Sequence, residues 1–148
     1  IISYNEGAKQ YKRVNSTFYI SLLISVIVMI IGTILFLTIP DKLIGLFTNN
    51  SQTITNGAHA LRIISFGFIV SSFSVVISGV FEGLGNGFPS LIISLTRYLL
   101  IVLVAFILTR FMEVDGVWHA FYITEIIAFL ISIILYIAFF LNRNKSIK

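Results

Sequence analysis

Four apolar stretches dominate the chain: Ser16–Leu37, Ala58–Phe81, Phe88–Leu108 and Val117–Leu141. Each is close to the ~20 residues that an α-helix needs to cross a hydrocarbon layer about 30 Å thick. A water-soluble domain of 148 residues has no use for four such segments. The expected fold is therefore all-α: a polytopic membrane protein with four transmembrane helices near 16–39, 54–82, 88–109 and 117–141. Together they make up a membrane region over 15–142. Residues 1–14 are expected as a cytoplasmic loop or amphipathic segment, and 143–148 as a basic cytoplasmic tail.

Composition agrees. Charged residues make up 11% of the chain and hydrophobic residues 57%, against a usual charged share of about 25% in soluble domains. The stretches are not secretory leaders, being too long and too many, and no basic-apolar-small pattern opens the chain. The chain begins on Ile1 rather than Met, so an upstream continuation is expected. With no cysteine, disulfides, thiolate metal sites and a cysteine nucleophile are excluded.

A net charge of +4 would suggest nucleic acid in a soluble protein, but here the cations gather at the two ends. Lys9, Lys12 and Arg13 precede the first helix; Arg143, Lys145 and Lys148 follow the last. The connection at 40–53 offers Lys42, and that at 110–116 offers Arg110 against Glu113 and Asp115. Basic residues are retained on the cytoplasmic side, and four crossings return the chain to the side it left. Both ends are expected in the cytoplasm of a multi-pass cell-membrane protein, with bacterial origin the expected source.

Helix boundaries are expected from caps and breakers. Asn15, Ser16 and Thr17 offer N-caps for the first helix, and Pro40 stops it. Asp41 is expected to cap a short interfacial turn carrying Leu43, Ile44, Leu46 and Phe47. Gly83, Gly85 and Gly87 suit a tight turn, with Pro89 in the first turn of the third helix. That glycine-rich run follows a membrane helix rather than a strand, so a nucleotide-binding loop is not expected. Trp118 is placed for an interfacial belt.

Polar residues inside the membrane are the functional signal. Gly67, Ser71, Ser74, Ser78 and Glu82 form one stripe of the second helix, opposite Ile69, Phe73, Val76 and Val80. Lipid offers a hydroxyl no partner, so the stripe should face protein or water. Close helix packing through small residues explains it; so does the wall of a hydrated cavity, and the two are compatible. The third helix holds Ser94, Arg97 and Tyr98, and the fourth His119, Tyr122, Thr124 and Glu125.

An ionised side chain at membrane depth costs about 2.5–3.5 kcal/mol on insertion scales, so it faces inward and finds a partner. Arg97 lies nine residues past Phe88, ~13 Å from one membrane edge, and Glu125 eight past Val117, ~12 Å from the other. In a core about 30 Å thick those depths differ by about 5 Å. The two helices are joined by a short loop and pack antiparallel, which predicts an intramembrane ion pair between Arg97 and Glu125. The pair either locks two helices together or takes part in transport. A carboxylate matched by an arginine is a poor lone proton carrier unless the helices separate. His59 and His119 are expected as interfacial residues, and no spacing fits a metal site.

These motifs together resemble the multidrug and toxic compound extrusion (MATE) transporters. The resemblance is carried by Asn5-Glu6-Gly7-Ala8-Lys9 with Arg13-Val14, and by Leu61-Arg62-Ile63 opening a long helix. Gly79-x-x-Glu82-Gly83-x-Gly85 near its end, Arg97-Tyr98 in the next, and Gly116-Val117-Trp118-x-Ala120 opening the last complete it. Their order and spacing span essentially the whole chain. The resemblance implies the ninth to twelfth of twelve helices, part of the six-helix C-terminal lobe, with both termini cytoplasmic. It also implies export of drugs or other organic cationic and amphipathic compounds in exchange for Na+ or H+. Glu82 and Asn86 stand where relatives carry Arg and Asp, and Ser71 where the sodium-coupled branch can carry a carboxylate. Coupling residues are therefore expected in the N-terminal lobe.

The expected substrate cavity is shaped by Ser71, Ser74, Ser78, Tyr98, Tyr122 and Glu125, the aromatics attracting cations through their ring faces. The alternative is a flippase of lipid-linked saccharides with the same architecture, which would carry more cations along its cavity. An enzyme is not expected, because Glu125 stands nearly alone where paired acids, a Ser/His couple or a metal cluster would be required. No cofactor is expected beyond transported Na+ or H+. The expected partners are the lipid bilayer, the remaining helices of the same transporter and a small organic substrate, without nucleic acid.

Overall fold

The computed structural model describes residues 1–146, with side chains as far as Phe140. Seven helices follow one another, and no strand occurs among the described residues: α1 (Ile2–Gly7), α2 (Tyr11–Thr38), α3 (Pro40–Gly45), α4 (Ser51–Ser65), α5 (Phe68–Gly83), α6 (Gly87–Met112) and α7 (Asp115–Ser146). Three of them, α2, α6 and α7, are long and apolar enough to cross a membrane. The pair α4 and α5 makes a fourth span if taken together, bent by 56°. The last helix runs to Ser146, so the expected tail at 143–148 begins as helix. Ile147 and Lys148 lie outside the described residues.

The expected continuous helix over 54–82 is broken at Phe66 and Gly67. There the backbone tightens to i−3 hydrogen bonds, Phe66 N to Ile63 O and Gly67 N to Ile64 O. Thr33 Oγ1 on α2 reaches the Ser65 carbonyl at 3.4 Å, and α7 presses on the bend. A Cβ at Gly67 would stand 3.0 Å from Tyr122 Cα, so only glycine lets α7 approach this closely. Hydropathy cannot register such a break, because the apolar content continues through it.

Other ends also differ. Asn15, Ser16 and Thr17 do not cap α2, which begins at Tyr11. Ser16 and Thr17 instead donate back to Lys12 O and Arg13 O within the helix, the usual alternative for hydroxyls in an apolar helix. Pro40 does end the first span, and it opens α3. Asp41 makes no cap there and accepts from Arg62 Nη2 at 3.0 Å. The N-cap of α4 is Asn50, whose Oδ1 accepts from Thr53 N at 3.0 Å.

Between α5 and α6 the expected tight turn is present. Gly85 adopts φ +73, and Asn86 N donates to Phe81 O across the turn. The turn between α6 and α7 depends on Gly116, where a Cβ would fall 2.5 Å from the Leu108 carbonyl carbon.

Helix α5 is the centre of the bundle. It meets α2, α6 and α7, while α6 and α7 pack along the most extensive contact between described elements. Val80 was expected opposite the polar stripe, yet it is buried along with Ser72, Ile77 and Phe81, because neighbours enclose α5 on several sides. Ile77, Phe81 and Ile93 form the core, covered by Phe18, Tyr136 and Phe139. Helix α2 is the opposite case: among its 28 residues only Val14 is buried, and Ile20, Leu23, Ile27, Val28, Ile31 and Ile34 are exposed. A helix apolar all round and unburied by its own chain is made for lipid or for other apolar helices.

Candidate functional site

Arg97 on α6 and Glu125 on α7 meet as expected, with Nε 3.1 Å from Oε1. Their side chains are about one-quarter and one-fifth exposed. Arg97 also donates from Nη2 to Ser74 Oγ on α5 at 2.7 Å. One guanidinium thus joins three helices through an ion pair and a charge-assisted hydrogen bond. Ser74 is fully buried and donates to Ser71 O at 3.0 Å, so its hydroxyl is satisfied both ways. Glu125 Oε2 is buried without a hydrogen-bond partner.

A second polar cluster sits nearer the α5–α6 turn. Ser90 Oγ donates to Glu82 Oε1 at 2.5 Å, and the Ser78 and Ser90 hydroxyls are 2.8 Å apart. Ser90 has one hydrogen and commits it to Glu82, so Ser78 is the donor to Ser90. Ser90 was not singled out from the sequence; its eight-residue separation from Glu82 spans the α5–α6 turn, so helical periodicity does not relate the two.

Two cavities border these clusters. A groove of about 300 Å³ between α5 and α6 is lined by Val75, Ser78, Gly79, Glu82, Ile93, Ser94 and Arg97. A more enclosed cavity of about 230 Å³ is lined by Met29, Ile64, Gly67, Phe68, Ser71, Phe121 and Glu125. The six residues expected to share one cavity are therefore divided. Ser78 lines the groove, Ser71 and Glu125 line the enclosed cavity, and Ser74 lies buried beneath Arg97. Neither tyrosine lines these two spaces: Tyr98 is 69% exposed on α6, and Tyr122 packs against His119, ring centroids 5.6 Å apart. Alternation around α6 accounts for Tyr98, since one residue is 100° from the next and Arg97 already occupies the inward face.

Among the other buried hydroxyls, Thr124 Oγ1 on α7 has no hydrogen-bond partner, whereas Ser72 and Ser132 are spent within their own helices. Ser72 donates to Ile69 O at 2.6 Å and Ser132 to Phe129 O at 2.7 Å, which makes them packing residues in an apolar setting. His59 and His119 differ from one another. His59 lies 3.2 Å from Asp115 at the exposed start of α7, whereas His119 Nδ1 is buried without a hydrogen-bond partner.

Long apolar helices that enclose a three-helix ionic cluster define a multi-pass membrane protein whose polar chemistry is turned inward. The MatE family model matches residues 1–107, well over half of the 148, and the chain belongs to that family of membrane transporters, which is not a family of enzymes. No curated protein matches the chain.

Proposed function

We propose that this chain forms the last four transmembrane segments of the C-terminal lobe of a secondary antiporter. The transporter exports drugs or other organic cationic and amphipathic compounds in exchange for Na+ or H+, by rocking of two lobes about a central cavity. The observation that carries this reading is the Arg97–Glu125–Ser74 cluster beside a polar groove, within helices apolar enough to span a bilayer. Groups of this kind are held at membrane depth where they lie on a transport path or move with it.

The groove between α5 and α6 cannot be covered by acyl chains without leaving Ser94 and Glu82 in lipid. Water or the partner lobe is its natural cover. Glu125 stands between Arg97 and the enclosed cavity, so exchange at this carboxylate requires α6 and α7 to part. Ser74 then remains as an acceptor for the guanidinium. Apolar and aromatic walls at Met29, Phe68 and Phe121 suit an amphipathic ligand.

A flippase of lipid-linked saccharides shares this architecture. Such a cargo requires free positive charge along the cavity, and the Arg97 charge in the groove is matched by Glu125. That pairing favours efflux.

Cells expressing the transporter should retain less ethidium than cells without it, and a saccharide-lipid flipping assay on the same protein should show no activity. Glu125→Gln is the informative variant: loss of efflux at normal expression assigns Glu125 to transport, while full efflux restricts it to holding α6 against α7.

A further inference from the structure

The elbow joining α1 to α2 gathers three cations that the transport reading does not use. Lys9, Lys12 and Arg13 line a pocket of about 390 Å³ together with Gln10 and Tyr11. All three cations are exposed, and Glu6 is the one acid among residues 1–14. Like charges so close repel one another, and an anion placed among them relieves that repulsion.

The elbow is a built feature. Ser3 Oγ donates to Gly83 O at 2.8 Å, and Ile2 covers Gly83 so closely that a Cβ there would meet it at 2.9 Å. Gln10 N donates to Asn5 O at 2.8 Å, closing the turn. Lys9 takes φ 56, a left-handed conformation that side-chain-bearing residues rarely adopt. Held in this way, Lys9, Lys12 and Arg13 border one open hollow along five consecutive residues, with the apolar stems of their side chains making much of its wall.

Depth then selects the ligand. The elbow opens directly into α2, a helix long and apolar enough to cross a membrane. The pocket therefore sits where the hydrocarbon layer gives way to headgroups, the level of lipid phosphates. Tyr4, 77% exposed on α1, offers an amphipathic surface at the same level.

We propose that this pocket binds the phosphate of an anionic membrane lipid and so ties α1, and through Gly83 the end of α5, to the bilayer surface. The proposal depends neither on the substrate nor on which side of the membrane the elbow occupies.

The test uses the purified transporter in neutral detergent, titrated with phosphatidylglycerol, phosphatidylcholine or inorganic phosphate, with bound lipid counted by native mass spectrometry. Phosphatidylglycerol should be retained over phosphatidylcholine. Lys9→Gln, Lys12→Gln and Arg13→Gln should each weaken it about fivefold, the equivalent of about 1 kcal/mol per surface cation. Rising salt should weaken it further, Lys12→Arg should preserve it, and Lys42→Gln, beyond the far end of α2, should leave it unchanged. Equal retention of the two lipids, or wild-type retention by the triple variant, overturns the proposal. Displacement of the lipid by millimolar inorganic phosphate assigns the pocket to a free anion and overturns it as well. Should the triple variant not fold, the salt dependence and the single variants decide.

Discussion

Arg97 and Glu125 lie 28 residues apart in the chain and 3.1 Å apart in space, each well inside a different membrane helix. The same guanidinium holds Ser74 at 2.7 Å, so α5, α6 and α7 share one ionic junction. Removing one partner of a buried pair leaves the other charge uncompensated, a loss of about 3–5 kcal/mol. Arg97→Ala should therefore lower the melting temperature of the purified transporter more than the Arg97→Ala/Glu125→Ala double variant does. Equal or greater damage in the double variant would mean that the two groups do not compensate each other.

Ser72 and Ser74, separated by a single residue on α5, should behave differently. Ser74→Ala removes an acceptor from Arg97, and an unsatisfied charged donor costs about 1–3 kcal/mol. Ser72 donates only to its own helix, so Ser72→Ala should change stability by less than about 0.5 kcal/mol. Thermal melts of the two variants side by side check this; equal losses would remove the Arg97–Ser74 bond from the account.

Glycines offer a second contrast. Gly116→Ala places a methyl 2.5 Å from the Leu108 backbone and should lose about 3 kcal/mol or prevent folding. At Gly79 nothing lies within 4 Å of a new Cβ, and Gly79→Ala should be neutral or stabilising by up to about 1 kcal/mol. Expression yield and melting temperature of the pair are the readout, and a well-folded Gly116→Ala protein would contradict the turn geometry.

The polar end of α4 is tied by Arg62 to Asp41 and by His59 to Asp115, both between side chains about half exposed. Exposed pairs contribute about 0–1 kcal/mol and are screened by salt. Arg62→Ala and His59→Ala should each cost less than about 1 kcal/mol, with the difference from wild type vanishing at 1 M salt. A loss as large as that of Arg97→Ala would show that these contacts are buried more deeply than the structure has them.

Much of the architecture was legible in the chain because hydropathy and charge are local. Apolar runs long enough to span a bilayer marked α2, α6 and α7, and the depth of Arg97 along one run and Glu125 along the next matched them before any packing was known. Periodicity also marked the serine stripe on α5. What it could not show was the fate of each hydroxyl: Ser71, Ser74 and Ser78 share a face, yet they end in an enclosed cavity, beneath a guanidinium and along an open groove. That division depends on which neighbour stands opposite each turn.

The chain by itself determined the solvent of this protein and the inward direction of its charges, since both follow from the free energy of moving each residue type between water and hydrocarbon. The tertiary structure alone decided the bend at Phe66–Gly67, the burial of Val80 and the outward turn of Tyr98. Those depend on how closely α2, α6 and α7 approach α5, and close approach is settled by the shapes of residues far apart in the chain.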